Sequence, residues 1–325
     1  MMPGGPVSDL IRVGLVGAGS IANIAELPAL ARTPGIKLAG VVTSDFERSQ
    51  LCARQWSVER PYESFQEMLD HGRLDVLFVL TPKGRHTAFV EDGLRHGLDV
   101  FCEKPLTTRL EEARGLADLA RGSRRLLMVG FNRRYAPVYQ IARQRFATEK
   151  VRFALAQKSR NGSEYRATLE NAIHMVDLLR WFCGEAVKVA AHSLAPDPWH
   201  EDGTSALIRF DSGAVGSLVA ARCAGEWEEG LSLFGDSATV RVSPPDWVEI
   251  AEGGATKRIE MRAQANGWAQ VNQTLGFGPE VEHFFECVRT RQTPLTNADE
   301  AVRTQELTEW ILAEAGLPLV DRPAE

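Results

Sequence analysis

The run Val13-Gly14-Leu15-Val16-Gly17-Ala18-Gly19-Ser20-Ile21-Ala22 constrains this chain more than any other segment. A strand rich in Ile, Val and Leu from Leu10 to Val16 ends in a glycine turn, and helical spacing takes over from Ala22 to Arg32. Glycine at 17 permits a tight turn, glycine at 19 leaves the backbone bare, and small Ala22 lets the helix close on the strand. A turn of this kind aims helix N-terminal amides at an anion. A glycine pair alone often does nothing but turn. Between a strand and a helix, G-x-G-x-x-A is the signature of a dinucleotide cradle, with Gly17, Gly19, Ser20, Ile21 and Ala22 as its candidate contacts.

The rest of the first half supplies the context that this signature needs. Strand-like runs at Lys37–Val42, Leu74–Leu80, Val100–Cys102 and Leu126–Val129 alternate with helical spacing at Glu47–Gln55, Phe65–His71, Thr87–His96 and Arg109–Ala120. The run 74–80 lacks the polar alternation of a half-exposed strand, as expected of one covered on both faces. Alternation of this kind predicts an α/β fold with a doubly wound parallel sheet over residues 8–130. After Gly130 the pattern changes. A helix at Pro137–Phe146, a strand near Val151–Lys158 and a helix at Leu169–Phe182 lead into Val187–Leu194, Ser205–Phe210, Val215–Ala221, Glu229–Phe234, Thr239–Val242 and Trp247–Ala251. Turns at Asp211-Ser212-Gly213 and Glu252-Gly253-Gly254 mark hairpins. Helices at Pro279–Thr290 and Ala298–Ala315 follow. Residues 131–325 therefore read as a second, α+β domain built on a mostly antiparallel sheet.

With 325 residues, the chain has room for two cores of ordinary size. A net charge of −6 argues against nucleic acid or an anionic membrane surface as partner. The five cysteines are scattered without a CxxC pair, which predicts buried thiols and no metal centre. No export signal and no span of membrane length is apparent, so a cytoplasmic protein is expected.

Three further motifs carry chemistry. The tripeptide Glu103-Lys104-Pro105 stands where the strand 100–102 ends and proline forbids its continuation. The carboxyl ends of parallel strands border the ligand crevice, so Lys104 can hold an ammonium against a substrate oxygen as hydride leaves. Glu103 can pair with that lysine or hold ribose hydroxyls. The loop Thr81-Pro82…His86 follows the strand before it and should pass the nicotinamide end of the cofactor. Glu170 and His174 lie four residues apart, on one face of a helix, where a carboxylate can orient an imidazole acting as base. Asp177 follows one turn later. Asn132, Arg133, Asp177 and Trp268 are candidates for the substrate pocket. After the second strand, Thr43 stands where an acid would hold the ribose of NAD. Thr43, Ser44 and Arg48 can receive a 2′-phosphate, which tilts the reading toward NADP, although Asp45 leaves NAD open.

The glycine turn, the Thr81-Pro82…His86 loop, Val100 to Leu106, Val129 to Tyr135 and Ile173 to Trp181 together resemble the Gfo/Idh/MocA oxidoreductases, the glucose–fructose oxidoreductase and inositol dehydrogenase family. The stretch from Gly276-Phe277-Gly278 to Cys287-Val288 is similar to its MviM-type branch. The resemblance implies a Rossmann domain followed by an open-faced sheet domain that pairs copies into dimers or tetramers. It also implies Lys104 as catalytic lysine, His174 as base, and a sugar, polyol or derivative as substrate. Two positions depart from the family pattern: Glu170, where aspartate is common, and Ala172, where glycine is usual. Alternatives are a tightly held NAD used transiently for epimerisation or glycosidic cleavage, and a cofactor-sensing protein without catalysis.

Overall fold

The computed structural model of the protein describes residues 10–162, 166–261 and 271–320. Two compact units make it up. The first holds the described residues to Thr107, together with Glu112–Gly130 and Glu280–Asp299. The second holds Thr108–Glu111, Phe131–Pro279 and the chain from Glu300. The expected division left 131–325 in one body. The stretch Glu280–Asp299 instead returns to the first unit, because Phe284 and Phe285 fill its core beside Phe78, at ring-centroid distances of 5.7 and 5.9 Å.

The first unit is a six-stranded parallel sheet. Its strands are β1 (Ile11–Val16), β2 (Ile36–Val42), β3 (Arg60–Pro61), β4 (Val76–Val79), β5 (Asp99–Cys102) and β6 (Leu127–Val129), in the order β3-β2-β1-β4-β5-β6. The order reverses between β1 and β4, which opens a crevice at their carboxyl ends. β4 and β5 are buried along their whole length. Asp99 survives inside because its carboxylate accepts the Leu126 N–H at 2.9 Å and pairs with Arg291. Helices Phe46–Trp56 (α2), Phe65–His71 (α3), His86–Arg95 (α4) and Leu110–Ser123 (α5) connect the strands.

The helix after the glycine turn departs from the expected regular form. Ala22–Glu26 is a π-helical turn, and Leu27–Leu30 (α1) after it is α-helical. Pro28 supplies the physical reason. An unbroken α-helix would drive its ring against the carbonyl of Ile24 and leave that carbonyl without a donor. In the wider turn the Leu27 N–H reaches back to the Ala22 carbonyl.

The second unit carries an eight-stranded sheet in the order β14-β13-β12-β11-β7-β10-β9-β8. These are β7 (Phe153–Asn161), β8 (Ala186–Leu194), β9 (Gly203–Phe210), β10 (Val215–Ala221), β11 (Cys223–Phe234), β12 (Ala238–Ser243), β13 (Trp247–Glu252) and β14 (Ala255–Glu260). All pair antiparallel except β7 with β10. β14 was not expected; its sequence, Ala-Thr-Lys-Arg-Ile-Glu, buries no residue and so lacks the apolar signal of a strand. Helices Pro137–Arg145 (α6) and Ile173–Cys183 (α7) cover one face, where Tyr139, Met175, Leu178, Leu179, Ile208, Leu218 and Leu233 are buried together. The opposite face leaves Leu155, Leu207 and Val219 exposed by 44, 53 and 42%. The expected helix 169–182 divides into a π-helical stretch, Ala167–Ala172, and α7. Helices Val271–Thr274 (α8), Phe277–Thr290 (α9) and Ala298–Glu314 (α10) close the described chain.

Candidate active site

The glycine turn is shaped as its sequence predicts. Gly17 has φ +90°, and a Cβ there would come within 2.7 Å of the Leu80 carbonyl oxygen and 2.9 Å of the Thr81 nitrogen. Only glycine fits, by backbone conformation and by space alike. A Cβ at Gly19 would meet nothing within 4 Å, so the backbone there borders open space. Asn23 was missed by sequence reasoning. Its amide donates to the carbonyls of Ala18 and Gly19 at 2.9 and 3.0 Å, and its oxygen accepts from the Trp56 indole at 2.9 Å. With those carbonyls held, the turn's orientation is fixed. The signal was present: a short amide side chain one turn past the glycines.

Gly17, Gly19, Thr43, Ser44, Arg48, Thr81 and Pro82 line one cleft of about 680 Å³, joined by Asn23, Arg85 and Phe89. The bare backbone at Gly19 and a groove of this extent fit an extended dinucleotide. Ser20 and Ile21 are exposed at the helix start, and Ala22 is buried beneath it. Near the adenosine-side candidates, the Thr43 hydroxyl donates to the Asp45 carbonyl at 2.8 Å. The Asp45 carboxylate caps α2, accepting the Arg48 N–H at 2.8 Å, and also pairs with the Arg48 guanidinium at 3.2 Å.

His86 requires a correction. It is 1% exposed, and its ring nitrogens lie 2.8 Å from the carbonyls of Thr81 and Pro105. The ring therefore ties the Thr81-Pro82 loop to the turn after β5 and is not turned toward a cofactor. Burial pulls its basicity down against the support of those carbonyls. Lys104 is half-buried at the carboxyl end of β5, and its backbone N–H donates to Glu103 Oε2 at 3.0 Å.

In the second unit, His174 opens α7, 7% exposed, with its ring edge-on to Phe131 at 6.5 Å. Glu170 lies on the preceding π-helical stretch, where Oε1 accepts the Arg166 N–H at 3.2 Å. π-Helical turns inside helices gather at functional positions.

Three substrate candidates prove to be structural. Asn132 is 1% exposed and donates to the Leu275 carbonyl at 2.9 Å. Arg133 is clamped by both oxygens of Glu229, at 2.6 and 2.9 Å. Lys158, the cross-strand neighbour of Glu229, bonds the same carboxylate. Burial would raise the Glu229 pKa, but Arg133 and Lys158 outweigh it and hold it at about 2. Asp177 has no exposure at all; it takes a bidentate bond from Arg134 at 2.7 and 2.8 Å and one from Thr304 at 2.9 Å. Both carboxylates are thus held by guanidinium groups inside the second unit. Trp268 lies outside the described residues. Among the described residues no cluster of metal-ligating side chains occurs, and no helix is long and apolar enough to cross a membrane.

Comparison with known proteins adds to this geometry. The profile of an oxidoreductase family with an NAD-binding Rossmann fold, GFO/IDH/MocA, matches residues 11–131, and that of the GFO/IDH/MocA C-terminal domain matches 147–241. YceM of Salmonella typhimurium is 28% identical over 94% of this chain and 98% of its own. The scyllo-inositol 2-dehydrogenase (NAD(+)) of Bacillus subtilis is 25% identical over 91% of each chain. A dehydrogenase of Clostridium difficile, MviM, superposes with a TM-score of 0.84 at 22% identity, covering 93% of this chain and 99% of that one.

Proposed function

The chain belongs to the Gfo/Idh/MocA oxidoreductases, with an NAD-binding Rossmann domain, and on that premise we propose that it moves a hydride between a nicotinamide cofactor and a secondary alcohol of a sugar, polyol or derivative. The observation that carries this is the cleft at the strand-order reversal, bare at Gly19 and bordered by the loops that end β1, β2 and β4. Relatives named for inositol and a structural neighbour in complex with NADH and levoglucosan support the substrate class.

When bound, the nicotinamide supplies the carbon that takes up or returns the hydride. The remaining tasks fall to side chains. In the oxidative direction, His174 removes the hydroxyl proton, and Lys104 hydrogen-bonds the oxygen, steadying the charge that proton loss leaves there until the hydride departs and the carbonyl forms. Glu170 orients His174. Lys104 and His174 are drawn from different units.

Ser44 and Arg48 border the cleft while Asp45 caps α2, which favours a 2′-phosphate over a free 2′-hydroxyl. Fluorescence titration is expected to give tighter binding of NADPH than of NADH. Arg48→Ala should erase the difference at little cost to NADH. Equal affinities in the wild type would reverse the NADP reading. Assaying a panel of polyols and aldoses for reduced-cofactor formation tests the activity itself.

The uncovered face of the second unit's sheet aligns Leu155, Ser217 and Leu207 in one cross-strand row. We assign it to pairing with a second copy of the chain. Sedimentation should find a dimer or tetramer that Leu207→Asp dissociates. A monomeric wild type at micromolar concentration would remove this assignment.

A further inference from the structure

We propose that Glu26 is a positioning residue for this site: its carboxylic acid, neutral inside the first unit, donates a proton to Glu103 and so fixes the turn that carries Lys104. The proposal rests on the reading of Lys104 as the residue that hydrogen-bonds the reacting oxygen.

Glu26 closes the π-helical turn that follows the glycines, and its side chain lies inside the unit, at 0% exposure. Neither of its oxygens receives a hydrogen bond from a donor group. The charged neighbour that acts on it is Glu103. A carboxylate in such a place would lack both solvent and counter-charge, and two carboxylates side by side do not both ionise. A proton between them resolves both difficulties. Burial first, and then Glu103, raise the Glu26 pKa well above its usual 4.5.

The other end of the pair reaches the lysine. Glu103 Oε2 accepts the Lys104 N–H at 3.0 Å, and the Glu103 N–H is bonded to the Val79 carbonyl at 3.0 Å. A proton from Glu26 to the buried Oε1 leaves Glu103 anchored at both oxygens, so the backbone of Lys104 has one setting. Ionisable groups beside the pair include Lys104, next in the chain, and Cys102, kept as a thiol by burial and by Glu103. His86 stands beyond Pro105. Packing alone does not ask for an acid here, since an apolar side chain would fill the space without its desolvation cost.

The test uses the full-length enzyme and two variants. Glu26→Gln keeps a donor toward Glu103 but cannot ionise; Glu26→Leu removes the donor. A neutral acid buried in the fold releases its proton on unfolding at any pH above the ordinary carboxyl range. The thermal midpoint of the wild type should therefore fall relative to that of Glu26→Gln as pH rises from 5 to 9. With myo-inositol as probe alcohol, Glu26→Leu should lower kcat by about 10-fold, at unchanged NADH affinity, through displacement of the lysine. Glu26→Gln should restore kcat to near the wild-type value and remove any alkaline fall in it. Parallel stability curves for the wild type and Glu26→Gln would overturn the proton-sharing pair. Wild-type kcat in Glu26→Leu would overturn the positioning role. If the wild type oxidises no polyol, the assigned activity fails instead, and the stability curves still decide whether the pair shares a proton.

Discussion

Lys104→Ala is expected to lower kcat by about 10²–10³-fold, the cost of one hydrogen-bond donor removed from a developing oxyanion. Affinity for the reduced cofactor should change little, because the glycine turn and the Thr43–Arg48 segment that line the cleft are untouched. The β5 turn should survive as well, since alanine keeps the backbone N–H that residue 104 donates to Glu103. The measurement is a pair: initial rates on the best alcohol of the panel, and a fluorescence titration with reduced cofactor on the same preparation. Turnover equal to the wild type would remove Lys104 from the chemistry. Lost cofactor binding together with lost turnover would make it a cofactor ligand.

Glu229→Ala should produce the largest loss of stability. It leaves Arg133 and Lys158 inside the second unit, at 7 and 5% side-chain exposure, with their shared counter-charge gone. Breaking a buried pair in this way costs about 3–5 kcal/mol. Glu229→Gln, which keeps an acceptor oxygen, should cost less. The same network sets an acid limit. The Glu229 pKa is lowered from 4.5 to about 2, so between those values the unfolded chain binds the proton and the folded chain does not. Stability from this group is complete above about pH 4.5 and is lost as pH falls toward 2, on the order of 3 kcal/mol in all. Thermal midpoints from pH 6 to 3 should fall more steeply for the wild type than for Glu229→Gln. Parallel slopes would show that the carboxylate carries no such share.

The features that were legible before folding are local ones. The glycine turn, the exposed ends of buried strands and the hairpin glycines each depend on a few neighbours, and the structure keeps all of them. Gly213, Gly253 and Gly254 have φ of +90°, +57° and +79°, as their turns require. What escaped the sequence depends on distant partners. His86 reads as a cofactor contact on the loop after β4 until the Pro105 carbonyl, 19 residues on, reaches its ring. Arg133 and Asp177 read as pocket charges because nothing in the sequence says which carboxylate will meet which guanidinium. Their partners stand 96 and 43 residues away. The π-helical turn at Ala22–Glu26 was foreshadowed by Pro28, but spacing alone spoke for an ordinary helix. β14 lacked the apolar alternation that announces a strand.

Glu280–Asp299 completes the sheet core of the first unit, with Phe284 and Phe285 against Phe78 and the Val129 N–H bonded to the Thr296 carbonyl. A ribosome making this protein releases the nucleotide-binding sheet long before those aromatic rings emerge. The nascent half must wait, with an apolar flank uncovered, until the stretch Glu280–Asp299 has been translated. Expression of residues 8–130 alone would strand it in that state, a natural client for chaperones rather than a transplantable cassette.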